Sequence, residues 1–558
     1  MKRLLLLAAC AAISLSAYSD REGLEKLSRE SEFKYDIVQV KIGDLYYNLS
    51  SKEKTARVVA VKKGEDKYAG VVRIPGSVTY QAENYTVIRI DNSAFKGCKD
   101  LTNVYVGDGV LGITNQAFNG CTNLTSVRFP KGMSNVGYEA FNGCAQLDSL
   151  IVSDMATWCT MVMDMTSFTP GYEIGLMPPA LPYALYDEDG KEITELVIPD
   201  GVTEVNDFTF RGCRSITSVK LPASVQSIGY KAFSECKNLK SVDLSGTLKE
   251  AGRDLFMGCS SLCRLTLPGS LKTIPEHMCD GCTSLEEITI PEGVENIETN
   301  VFLGCTSLMT VHIPSTMKTI NDVLGQAMGR KIIIPDLKTW CGITFNSPAA
   351  YGATLCLEDG TELNDLVFPD DVTAIPQNAF GGYRGLNSID FNKVETIGDF
   401  AFQESDIESL TLSESVREIR MAAFQSCQNL SSISLPSSIE KLSDYAFAFC
   451  PSLTSVSYNL EKFPEYGRFA SAVFSRSPID KATLYVPENM IEACKGEEPW
   501  SGFGQILPLP TGTETSIQGA ECQVEKEKSA MYDLQGRRLN ARPQRGLYIQ
   551  GGKMRMAW

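Results

Sequence analysis

The chain has 558 residues, 43% hydrophobic and 22% charged, with a net charge of −16, a composition ordinary for a soluble protein. That acidity argues against nucleic acid as a partner, because phosphate binding needs a Lys/Arg excess, and against docking on an anionic membrane surface. With only two histidines, His277 and His312, a His-based catalytic triad or zinc site has almost no candidates.

Residues 1–19 start Met-Lys-Arg, continue as an apolar run and end in small residues near Ala17 to Ser19. This predicts a secretory signal, too short for a membrane span. Leu7-Ala8-Ala9-Cys10 is similar to a lipoprotein box and makes Cys10 a candidate for acylation, but the apolar run continues past it, which favours ordinary cleavage near Ala17–Asp20. No other run is long enough to cross a bilayer. Residues 20–77 alternate apolar and polar positions between turn residues and predict two or three antiparallel strands. They are expected as a β-rich N-terminal cap over the first rung of a repeat array.

From residue 78 the chain repeats itself. LKSVDLSGTLKEAGRDLFMGCSS starts at Leu239, LCRLTLPGSLKTIPEHMCDGCTS at Leu262 and LEEITIPEGVENIETNVFLGCTS at Leu285, a step of 23 residues. A fixed period in this range marks a solenoid or array. In Ile216-Thr-Ser-Val-Lys-Leu-Pro222 the apolar residues alternate with polar ones, as in a strand with one buried face, and the proline ends the strand. Val225 and Ile228 follow on a second short segment, then Ala232, Phe233 and Cys236. One such unit cannot bury its own apolar face, but stacked copies share a continuous core.

These residues resemble the BspA-like leucine-rich repeat family, whose pattern L-x-x-I-x-I-P-x-x-V-x-x-I-x-x-x-A-F-x-x-C-x-x is met closely by 216–238 and 430–452. The resemblance covers most of the chain from about Val71 to about Val456. It implies an α/β repeat fold: a right-handed leucine-rich-repeat solenoid with a parallel β-sheet. It also implies adhesion, through binding of host or bacterial surface proteins.

Repeat blocks are expected at 78–152, 193–335 and 363–458, separated by insertions at 153–192 and 336–362. Both insertions open D-x-x-T-W-C, at Asp154–Cys159 and Asp336–Cys341, and both close on an acidic Asp-Gly turn. Residues 459–510 read as a C-terminal cap and the polar 511–528 as a linker. Residues 529–558 read as a hairpin similar to the C-terminal sorting tail of type IX secretion substrates, or as a simple structural hairpin.

Ten cysteines share one repeat position: Cys98, Cys121, Cys144, Cys213, Cys236, Cys259, Cys282, Cys305, Cys427 and Cys450. Stacked about 4.8 Å apart with parallel side chains, they suit a disulfide poorly and are expected as reduced, buried small hydrophobes. A phenylalanine column includes Phe95, Phe118, Phe233 and Phe424; Cys279 replaces phenylalanine in its repeat, where looser packing is expected. Asp187-Glu-Asp-Gly190 has too few ligands for a calcium loop and reads as a turn.

No phosphate loop, G-x-S-x-G or H-E-x-x-H occurs. No catalytic, metal or cofactor site is expected. The outward strand positions are rich in Ser and Thr, so partner-binding candidates are the few aromatic and amide or basic groups: Asn103, Tyr105 and Arg128 on the sheet, and Trp158, Tyr172, Tyr183, Trp340 and Tyr351 in the insertions. The twin Trp-Cys pairs read more readily as plugs into the core. The expected function is a non-catalytic protein, secreted or displayed on the outer-membrane surface with a lipid or sugar anchor, that binds a surface glycoprotein. A carbohydrate-capture role and a hydrolase site in the insertions are the alternatives.

Overall fold

The computed structural model describes residues 37–163, 183–324 and 329–510, together with the backbone of four short strands between 531 and 557. The expected signal segment, Cys10, Tyr172 and the linker lie outside the described residues. The chain divides into two compact units, Met1–Glu362 and Leu363–Trp558. Both are built of parallel-sheet rungs, about 17 turns in all with a repeat of about 23 residues.

The first unit opens on an antiparallel meander of β1 (Ile37–Ile42), β2 (Leu45–Ser50) and β3 (Thr55–Val59). Strand β3 then pairs in parallel with the outer end of a hairpin, and so hands the meander on to the solenoid. Here β4 is Gly70–Ile74, and the hairpin is β5 (Ser77–Tyr80) and β6 (Glu83–Ile90). Thereafter each rung contributes one longer and one shorter strand. The longer strands β4, β7 (Leu101–Val106), β9 (Ser126–Phe129), β11 (Ser149–Val152) and β13 (Ala184–Tyr186) make one parallel sheet. The shorter strands β8 (Gly112–Ile113), β10 (Asn135–Val136) and β12 (Val162–Met163) extend β6 into a second.

Registry follows from the period. Ser218, Val219 and Lys220 pair with Ser241, Val242 and Asp243, so like positions face each other along the stack. The buried member of each strand packs on its own kind, while its neighbours face water. The prolines that stop the strands are followed by tight turns. Around the Ala-Phe step the backbone is left-handed twice, as at Lys231 (φ 53°) and Glu235 (φ 60°), and glycine fills the second of these positions in many rungs, as at Gly258. These turns carry the chain round without a helix. Among the described residues α-helices are confined to α1 (Met155–Cys159), α2 (Leu337–Cys341) and α3 (Ile491–Gly496), with short 3-10 turns between Ala470 and Gly502.

The segments expected as insertions run as rungs. Asp154 caps α1 by accepting from the Ala156 amide, and Asp336 caps α2 through the Thr339 amide. After each helix the chain rejoins both sheets. Strand β12 pairs with β10 and β13 with β11, while Thr344–Phe345 pairs with Thr319–Ile320 and Thr354–Leu357 with Lys331–Ile334. Lys331 faces Thr354, one 23-residue step away. The repeat is lost to the eye because a capped helix replaces the proline turn between the longer and the shorter strand, not because the ladder stops.

The second unit stacks Ser409–Thr411, Ser432–Leu435 and Ser455–Tyr458 in the same way. Its ladder runs further than the repeat pattern, through Thr483–Val486 to Gln505–Pro508. The four tail strands pair antiparallel in a sheet of their own.

Two columns fill the interior. Phenylalanine rings stack rung on rung, with centroids 4.9 Å apart for Phe95–Phe118, 5.2 Å for Phe118–Phe141 and 5.3 Å for Phe402–Phe424. Beside them the ladder cysteines are free thiols and buried. They are more than small hydrophobes. In most rungs the thiol donates to the carbonyl at the phenylalanine position one rung back: Cys121 to Phe95, Cys236 to Phe210, Cys259 to Phe233 and Cys450 to Phe424, at 3.0–3.3 Å. Where the column ends in the first unit, the buried guanidinium of Arg330 donates to the carbonyls of Cys305, Leu308 and Leu324. Cys279 is as buried as the phenylalanines, and Met278 stands beside it where most rungs carry alanine.

Candidate interaction face

The outer face of the first sheet is the one place where bulky binding side chains line up in register. One column runs Arg73, Tyr105, Arg128, Ile151, Tyr186 across β4, β7, β9, β11 and β13. The next runs Val71, Asn103, Ser126, Ser149. The Arg73 guanidinium lies over the Tyr105 ring, 4.2 Å from its centroid. That stack holds both side chains in place and leaves the edge of the guanidinium free to donate. Arg128 is tied back, its Nη1 donating to the Val106 carbonyl at 3.0 Å with Asp108 3.8 Å away. Asn103 Nδ2 donates to the Ser126 hydroxyl at 2.6 Å, so it is partly spent inside the ladder. Val71 is 56% exposed.

Elsewhere, apart from Val197, Ile333, Val367 and Tyr485, the same columns are mainly polar. They read Ser218, Ser241, Arg264 beside Lys220, Asp243, Thr266 later in the first unit, and Ser432, Ser455 beside Ser434, Ser457 in the second. Charge is also uneven. Residues 37–131 hold thirteen Lys and Arg against eight Asp and Glu, in a chain whose net charge is −16. The face therefore lies in a locally basic region of an acidic protein.

At the cap end the stripe runs into a cleft of about 570 Å³, with Val71 and Arg73 on its wall beside Lys41, Asp44, Tyr46 and Asp66. Its shape is fixed from below. The buried Tyr68 hydroxyl donates to the Val59 carbonyl at 2.8 Å and accepts from the Tyr46 amide at 3.0 Å. The Tyr46 hydroxyl donates to both Glu65 oxygens, at 2.5 and 2.6 Å, and this bond to a carboxylate raises the Tyr46 pKa.

The insertion candidates fare differently. Trp158 is 1% exposed, its ring packed edge-on to Phe129 at 5.0 Å and its Nε1 donating to the Thr209 carbonyl. Trp340 is fully buried 4.7 Å from Phe345, and Tyr183 is buried too. These three are core residues and present no surface to a partner; the capped helices turn the two tryptophans inward, and Tyr183 is held in a parallel bridge to Cys213. Tyr351 is 40% exposed but lies beside Thr354–Leu357, in another sheet. Sequence reasoning missed Arg73, Val71 and Ile151. The signal was the strand Gly70–Ile74 itself, which pairs with β7 yet starts on glycine in place of leucine.

Among the described residues no group of three His, Cys, Asp or Glu side chains is placed to hold a metal. Asp187 accepts from the amides of Asp189 and Lys191, so its carboxylate closes a turn. His277 sits against Asp280 at 3.2 Å and His312 against Glu287 at 3.0 Å, both at the surface.

The model of the BspA type leucine rich repeat region matches in six copies, over residues 81–161, 183–309, 273–324 and 356–477, more than half of the chain. The chain belongs to the BspA-type leucine-rich repeat family. This BspA-type chain is similar to a leucine-rich repeat protein from Bacteroides ovatus, with 23% identity over 76% of this chain and 98% of that one and a TM-score of 0.47. It is similar to a leucine rich cell surface protein from Faecalibacterium prausnitzii, with 21% identity over 75% and 94% and a TM-score of 0.34. A third likeness is to the pneumococcal vaccine antigen PcpA, with 13% identity over 85% and 99% and a TM-score of 0.31. A comparison with curated proteins gave no match. No helix among the described residues of this BspA-type chain is long and apolar enough to cross a membrane.

Proposed function

We propose that this chain is a non-catalytic scaffold, secreted or held at the cell surface, that binds a surface glycoprotein through the outer face of its first sheet. The observation that carries the reading is the Arg73–Tyr105–Arg128 column, exposed at Arg73 and half-buried at Tyr105 and Arg128, a pre-ordered set of residue types that dominate protein contacts. Membership of the BspA-type family supports a scaffold role at the cell surface. Export through residues 1–19, an anchor on Cys10 or sorting by the tail belongs to the same reading. With Trp158, Trp340 and Tyr183 in the core, most of the aromatic groups on which a hydrolase or sugar site in the insertions would rest are not available to it.

The test is binding of the chain to a panel of host matrix proteins and bacterial surface glycoproteins, compared with its Arg73→Ala and Tyr105→Ala variants. Saturable binding that falls at least tenfold in both variants, with Tyr351→Ala unchanged, is the expected outcome. Binding that ignores both substitutions places the contact elsewhere.

A further inference from the structure

The cleft beside β4 differs in kind from the open face it adjoins. Protein contacts spread over broad, fairly flat surfaces, whereas a concavity of about 570 Å³ is of the size that encloses a small ligand. Its polar groups are placed and unspent. Lys41 and Arg73 take part in no ion pair among the described residues, and neither do Asp44 and Asp66. The acidic group that would most readily neutralise the site, Glu65, is held by the Tyr46 hydroxyl instead. Lys41 Nζ stands 5.5 Å from the Tyr46 ring centroid, a contact that orients it without consuming its donors. Val71 supplies an exposed apolar wall.

We propose that this cleft binds an anionic saccharide, one to three sugar units bearing carboxylate or sulfate groups. Lys41 and the free edge of the Arg73 guanidinium pair with the acid groups, Arg73 in the bidentate manner that planar oxyanions favour. Asp44 and Asp66 accept from ring hydroxyls, which a simple inorganic anion does not offer. Val71 packs against a C–H face of the sugar. The surrounding excess of Lys and Arg draws such a ligand toward an otherwise acidic protein. The site goes beyond the glycoprotein-binding reading, since cleft and stripe share only Val71 and Arg73, and substitutions at Lys41 and Arg128 separate the two.

Titration calorimetry of the full chain with a galacturonate trisaccharide, a sulfated disaccharide, a neutral galactose trisaccharide and a glutamate tripeptide tests the proposal. Binding of one or both acidic sugars, weakened at least tenfold by Lys41→Gln and by Arg73→Gln but not by Arg128→Ala, is expected. The carboxylated and sulfated arms decide which acid group is preferred, and Lys41→Arg should restore part of the affinity. No binding of either acidic sugar at millimolar concentration overturns the proposal, as does equal binding of the neutral sugar. Tighter binding of the glutamate tripeptide assigns the cleft to acidic protein segments and overturns it too. Thermal melts of each variant show that the fold is kept; a Lys41→Gln chain that melts like the parent and still binds fully would also refute it.

Discussion

A ladder cysteine does two jobs with one small side chain. It fills space beside a stacked phenylalanine, and its thiol adds a second donor to a buried carbonyl that already accepts from the amide three residues on, as Phe210 accepts from Cys213 and Phe233 from Cys236. Serine would offer the hydroxyl without the apolar volume, and alanine neither. Burial pushes the thiols up, Cys98 and Cys450 to about 11 and Cys305 and Cys427 to about 12. The direction sets a pH dependence. Below the unfolded thiol value of about 8.5 both states hold the proton and these groups add no slope. Above it the unfolded chain loses protons that the folded chain keeps, so stability falls as pH rises from about 8.5 toward 11–12. Thermal melts should be level from pH 7 to 8 and drop steadily beyond pH 9, and iodoacetamide at pH 8 should label exposed Cys263 while sparing Cys236 and Cys259. A flat profile to pH 10.5 would count against the buried column. The cysteine position and its reduced state were legible from spacing alone. Its hydrogen bond was not, because it depends on which way a carbonyl points in a left-handed turn.

At the scale of the element, the rung around Cys279 shows that volume is conserved by trade. Most rungs pair a small residue with phenylalanine, as in Ala232-Phe233, but here Met278-Cys279 divides the same space the other way. Adding a ring without removing the methionine overfills the site. Cys279→Phe is therefore expected to cost about 1–3 kcal/mol, and the pair Met278→Ala with Cys279→Phe to recover most of it, by chemical denaturation. A single variant that melts higher than the parent would show a real void there. The helical rungs offer a second check. Asp336→Ala removes the cap of α2 and is expected to cost about 1 kcal/mol, Trp340→Ala about 3–5 kcal/mol, and Tyr351→Ala no more than about 0.5 kcal/mol. Equal effects at Trp340 and Tyr351 would contradict the assignment of one to core and the other to surface. The Trp-Cys pairs of D-x-x-T-W-C were legible as core plugs, whereas the Asp caps ahead of them came only with the structure. That the ladders run straight through these segments was hidden, since a helix changes the local periodicity while β12 and Thr344–Phe345 keep the pairing.

For the whole molecule, one-dimensional growth decides how damage and function are distributed. Each rung touches mainly its neighbours, so a cavity in one should loosen those beside it more than those several steps away. Phe233→Ala should raise amide exchange around Phe210 and Phe256 well above any change around Phe95 and Phe118, although all four rings belong to columns in one unit. Uniform loosening of the unit would mean that it opens as one body. The same geometry explains why the Arg73–Tyr105–Arg128 stripe arises at one end. A repeat fixes what faces inward and leaves outward columns free to vary, so a few substitutions in register suffice to write a binding surface. They were written where the local charge is positive, against the trend of the chain. Partner binding across this face should therefore weaken as salt is raised from 50 to 300 mM, in proportion to the acidic groups engaged, and Arg73→Ala should reduce that slope as well as the affinity. A salt-independent contact would place the energy in the apolar members, Val71, Ile151 and the rings of Tyr105 and Tyr186, and leave the basic excess without a part in recognition.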